Sequence, residues 1–162
     1  MLPDRRWGCW RHQAKCDIIY DMIVVLDTNI MVAASLSPFG ASFQLLSMVP
    51  QRRFKFLLSV PLMFEYEDAL KRDDLRQQSY LTLNDIEAIL NMLAAYGTPQ
   101  TIYFLWRPQL RDPKDEMVLE LAVSGQAEAI MTLNERDFLP TAPKLFGIEV
   151  IRPGPFLRRL QS

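Results

Sequence analysis

Residues 22–36 read "MIVVLDTNIMVAASL", and the reading of this stretch decides the fold. Ile23, Val24, Val25 and Leu26 form an aliphatic, mostly β-branched run that is too short for a helix and does not alternate with polar residues. That is the pattern of a strand buried on both faces, the central strand of a parallel sheet. The run stops on an acid, Asp27, and apolar residues then resume. Ligands of open parallel sheets bind beyond the carboxyl ends of the strands. A carboxylate at that end can project into such a crevice instead of being trapped inside the sheet.

The same alternation continues outward. Helical composition covers 41–49, and "FKFLLS" at 54–59 predicts a second strand. Pro61 suits the first turn of a helix in which Leu62, Tyr66, Ala69 and Leu70 recur at helical spacing. "TLNDIEAILNMLAAYG" at 82–97 opens on a capping box from Thr82 to Asp85 and closes on Gly97 as a C-cap. A helix over 115–124 ends before Gly125, and strands follow over 129–132 and 148–151. Strands alternating with helices predict an α/β three-layer, Rossmann-like fold, because parallel strands require crossover connections.

A chain of 162 residues with 49% hydrophobic content is about one domain long and can bury a real core. With 23% charged residues and a formal net charge of -1, it is neither compositionally disordered nor a globally basic nucleic-acid binder. No apolar run approaches the ~20 residues that span a bilayer, and the start carries no continuous apolar signal region. The expectation is a cytoplasmic protein with no membrane partner.

Residues 1–21 differ from the rest, holding two of the three Trp, both Cys and the only His. Cys9, His12 and Cys16 supply three candidate metal ligands, but a fourth is missing and the spacing fits no zinc pattern. The segment reads as an appendage, with Met22 the expected natural start and 22–162 the domain. Residues 22–162 contain neither Cys nor His, which excludes thiol and imidazole catalysis and leaves carboxylates as the main chemistry.

Four segments can bring acids to the sheet edge: Asp27, Glu65, the Asp112 and Asp115 pair in "RDPKDE", and Asp137 in "TLNERDF". Clustered carboxylates raise each other's pKa, so a cation is expected among them. With only oxygen donors available, Mg²⁺ or Mn²⁺ is favoured over zinc. Such ions, singly or as a pair, activate water and stabilise the leaving oxygen in phosphodiester cleavage.

Taken in order, "VVLDTNIMVAASLSP", "LLSVPLMFEYEDAL", "RDPKDEMVLELAVSGQAEAIMTLNERDF" and "FGIEVIRPGPFL" resemble the segments of PIN-domain proteins. The likeness is greatest to the VapC-like toxin components of bacterial toxin–antitoxin pairs. It implies a metal-dependent endoribonuclease using Mg²⁺ or Mn²⁺, with Asp27, Glu65, Asp115 and Asp137 as catalytic acids and metal ligands. It further implies a homodimer restrained by a cognate antitoxin. Many relatives follow the strand ending at Thr132 with a T-x-D triplet. Here it is Thr132-Leu133-Asn134, a T-x-N form that other members pair with R-D-F.

Each residue also has a purely structural reading. Asp27 can cap the following helix, Glu65 can be one more solvated acid beside Glu67 and Asp68, and Asp137 can be a turn residue. Asp112 before Pro113 reads as structural, while Asp115 would favourably meet the helix dipole even without a metal. Thr28, Asn29, Ser59, Thr132 and Asn134 are either donors to the carboxylates or ordinary caps and turn formers.

Basic residues cluster at Arg52, Arg53 and Lys55, at Lys71, Arg72 and Arg76, and at Arg107, Arg111, Lys114 and Arg136 beside the acids. They are candidate phosphate contacts. Two other functions fit the chain: a non-catalytic PIN-fold module binding RNA or protein, and a phosphoryl-transfer enzyme with Asp27 as nucleophile. The second is disfavoured because Thr28 stands where a second acid would be expected. Apolar residues on 63–70 and 86–96 exceed what one face per helix needs, so part of this surface is expected at an interface.

Overall fold

The computed structural model describes residues 22–102 and 109–162. The candidate ligands Cys9, His12 and Cys16, the boundary at residue 21 and Arg107 lie outside the described residues. Five strands form one sheet in the order β3-β2-β1-β4-β5, every neighbouring pair parallel. They are β1 (Ile23–Leu26), β2 (Lys55–Leu58), β3 (Thr98–Pro99), β4 (Ala129–Met131) and β5 (Glu149–Ile151). As the opening run predicted, β1 is central, and Val24, Val25 and Leu26 are fully buried. The chain leaves β1 toward β2 on one side and returns through β4 on the other, so the crevice between β1 and β4 is a topological switch point.

Helices flank this sheet. α1 (Thr28–Leu36) and α2 (Ala41–Ser47) follow β1, and α3 (Val60–Lys71), α4 (Asp73–Gln78) and α5 (Leu83–Tyr96) follow β2. α6 (Pro113–Ser124) precedes β4, α7 (Thr141–Phe146) precedes β5, and α8 (Pro153–Gln161) closes the chain. Pro50 ends the predicted 41–49 helix early by tightening the chain into a 3-10 turn over Val49–Gln51. Ser59 caps α3 by accepting from the Leu62 amide at 3.3 Å, with Pro61 in the first turn. Thr82 and Asp85 form the expected capping box of α5.

Gly97 ends α5, but in an extended conformation. Its glycine identity is explained by crowding: a Cβ there would lie 2.8 Å from the Leu93 carbonyl oxygen and 3.0 Å from both Leu58 and Phe56 side chains. α6 begins two residues before the predicted start, with Asp112 as N-cap accepting from the Lys114 amide at 2.9 Å.

The core runs along both sheet faces. α6 packs on β1, β2 and β4, burying Val118, Leu119, Leu121 and Ala122. Tyr66 of α3 is fully buried, and its hydroxyl donates to the Leu26 carbonyl oxygen at the carboxyl end of β1. Of the surplus apolar residues on α3 and α5, Ile86, Leu90 and Leu93 turn into the core, whereas Phe64 stays 61% and Tyr96 39% exposed. Among the described residues no single helix is long and apolar enough to cross a membrane.

Candidate active site at the carboxyl edge of the sheet

Asp27 follows β1 directly and is 7% exposed. It occupies the N-cap position of α1, yet its side chain makes no capping hydrogen bond. Its backbone N–H donates to the Met131 carbonyl at 2.9 Å, which fixes the residue at the β1–β4 switch point. One carboxylate oxygen accepts from the Thr132 hydroxyl at 2.7 Å. Burial pushes the Asp27 carboxyl above the usual range, and the Asp137 charge adds to this. The Thr132 hydroxyl and the Thr28 and Asn29 amides act in the opposite direction.

Thr132 is fully buried at the end of β4 and carries a small network. Its oxygen accepts from the Asn29 side-chain amide and from the Asn134 backbone N–H, both at 3.0 Å. The Asn29 carbonyl oxygen in turn accepts from the Leu133 N–H at 3.1 Å. The Asn134 side-chain amide donates to the Asp137 carboxylate. In this T-x-N triplet the third residue therefore orients the later acid by hydrogen bonding.

Asp115 lies in the first turn of α6. Burial raises its pKa to about 6, with further contributions from Asp27, Asp137 and Asp112 in that order. Asp27, Asp115 and Asp137 thus come from three separate segments and repel one another electrostatically.

Glu65 is placed differently. Its carboxylate pairs with Lys114 of α6 at 2.5 Å, a contact between residues 49 apart in the chain. Among the described residues, no group of three acids is close enough to hold one ion as it stands. The donor chemistry nevertheless fits a hard divalent cation: the acids offer only oxygen, Asp27 is buried, and the charges of Asp27, Asp115 and Asp137 oppose one another. Asp27, Asp115 and Asp137 would hold it, and Glu65 would join on release from Lys114.

An open cavity of about 550 Å³ lies alongside, lined by Asp115, Asp137, Arg111 and Arg136 among others. Sequence reasoning did not single out Glu116, which is 9% exposed and accepts from the backbone N–H groups of Gln109, at 3.0 and 2.9 Å, and Leu110, at 2.7 Å. It anchors the segment entering α6, and no local pattern distinguishes it from its acidic neighbours.

No curated protein matches this sequence. Among solved structures, the fold is similar to a chain in the crystal structure of VapBC2 from Rickettsia felis bound to a DNA fragment from their promoter. The TM-score is 0.52 at 13% identity, covering 81% of this chain and 98% of that one. Residues 23–136 match the family model described as PIN domain. That span holds the central strand, three of the four proposed acids and β4 with Thr132 just beyond it, and the chain belongs to the PIN-domain family.

Proposed function

We propose that this chain is a divalent-metal-dependent endoribonuclease, the toxin of a toxin–antitoxin pair, acting in the cytoplasm as a homodimer. The observation that carries the reading is the convergence of Asp27, Asp115 and Asp137 at a parallel-sheet switch point, where burial raises the Asp27 and Asp115 carboxyls and the Asp137 charge adds to both. Acids kept in a cleft against their own stability are candidate functional groups. A bound Mg²⁺ or Mn²⁺ would supply a Lewis acid that activates water and steadies charge on the phosphodiester.

The chain's own residues do the rest. Thr132 holds one Asp27 oxygen in place, and Asn134 holds Asp137. Asp115, in the first turn of α6, feels both the Asp27 and the Asp137 charge and would help to hold the cation. The similarity to a toxin–antitoxin complex supports the antitoxin partner, and exposed Phe64 and Tyr96 support an interface.

The test is cleavage of an RNA pool by purified protein with Mg²⁺, with Mn²⁺ and in excess chelator. Cleavage confined to the metal lanes is expected; equal cleavage in chelator would sink the metal-dependent reading. The Glu65–Lys114 pair favours a second reading, a non-catalytic PIN-fold module binding RNA or protein, because it engages one of the four acids. Binding without cleavage in any lane would select that module.

A further inference from the structure

The acid-lined cavity has a second chemical character. Arg111, just before α6, and Arg136, in the 3-10 turn over Glu135–Asp137, both line it beside Asp115 and Asp137. Among the described residues neither guanidinium has a hydrogen-bond or ion-pair partner. Nearby cations are committed elsewhere. Lys114 pairs with Glu65, and Arg152 donates to the Leu133 carbonyl.

An arginine next to unpaired acids would ordinarily form an ion pair, so two that stay open in one cavity call for an anion from outside. Among the described residues the lining also includes Gln109, Leu139, Pro140 and Thr141. The volume of about 550 Å³ lies within the range of ligand sites, ~300–1,000 Å³, but the cavity is open and suits a strand passing across it.

We propose that Arg111 and Arg136 form a two-point clamp for phosphates of a single RNA strand, holding its backbone against the acid-lined cavity. The identity of the strand as RNA rests on the endoribonuclease reading; the clamp itself rests on the two open guanidiniums.

The experiment measures fluorescence anisotropy of a labelled single-stranded RNA, in chelator so that metal-dependent cleavage is suppressed, across a salt series. The proteins are the full chain, Arg111→Gln/Arg136→Gln and Arg111→Lys/Arg136→Lys, each first checked for an unchanged unfolding temperature. The Gln pair should bind ~10-fold or more weakly, and its plot of log affinity against log salt should flatten by about 1.4, some 0.7 for each lost phosphate contact. The Lys pair should recover that slope because it keeps both charges. Unchanged affinity and slope in the Gln pair would overturn the clamp, as would absence of RNA binding by the full chain. The two readings separate cleanly. A full chain that binds with the expected slope but cleaves nothing in Mg²⁺ or Mn²⁺ retains the clamp and loses the nuclease. A Gln pair that cleaves with unchanged KM and salt dependence does the reverse.

Discussion

Acids on the outer surface and acids at the carboxyl edge of the sheet experience opposite environments in the same molecule. On the surface, Asp74 is held below the usual carboxylate range by Arg72, Asp85 by the Thr82 hydroxyl and amide, and Glu149 by the Arg159 fork. At the sheet edge, burial raises Asp27 and Asp115, and Asp137 raises both further. The first set stabilises the native chain near neutral pH. The second set destabilises it unless a cation is bound, and the contrast separates acids that serve the fold from the acids proposed for chemistry.

The sharpest way to break this contrast is Asp27→Asn. Cleavage of RNA should fall by at least ~10²-fold, since the amide keeps shape and loses charge. The metal-free unfolding temperature should nevertheless rise, because a buried charge with a raised pKa is removed. A variant both inactive and less stable by calorimetry would place Asp27 with the acids that serve the fold.

The next effect is in pH dependence. The folded-state pKa of Asp115, about 6, lies above its ordinary 3.8, so the native state binds more protons between those values. Its contribution to metal-free stability is therefore lost as pH rises from about 3.8 through about 6. Asp74, Asp85 and Glu149 act in the opposite sense: their stabilisation, present above their unfolded values, is lost as pH falls through their lowered folded values. Melting curves of wild type and Asp115→Asn should therefore diverge in the variant's favour as pH rises across that window, and saturating Mg²⁺ should reduce the gap. Parallel curves would contradict the assigned shift.

The smallest effect belongs to the surface. Asp85→Ala removes half of the α5 capping box and should lower the unfolding temperature only slightly, with cleavage unchanged. An activity loss comparable to that of Asp27→Asn would erase the distinction between the two regions.

Much of the architecture was legible from local pattern. The β1 run, the capping box at Thr82 and Asp85, and Asp112 as a structural residue before Pro113 depend on neighbours within a few residues. Asp27 could be placed at the sheet edge because strand length and parallel topology fix where a strand ends. What escaped depends on distant partners. The capture of Glu65 by Lys114 joins α3 to α6, and the anchoring role of buried Glu116 depends on backbone groups of a preceding loop. Gly97 was legible as the C-cap of α5, whereas the reason for a glycine there is the closeness of the Leu93 carbonyl, Leu58 and Phe56. The excess apolar residues of α5 were legible as excess, but which ones turn inward is set by α3.

The Thr132 hydroxyl has a consequence for directionality. Both of its lone pairs are filled, by the Asn29 amide and the Asn134 N–H, so its single hydrogen has one destination, the Asp27 oxygen Oδ2. A saturated hydroxyl of this kind works as a one-way valve for polarity: it cannot rotate to accept from Asp27 without surrendering a bond already made. The network is thereby matched to an ionised carboxylate at Oδ2, and a proton arriving at Asp27 is steered to its other oxygen.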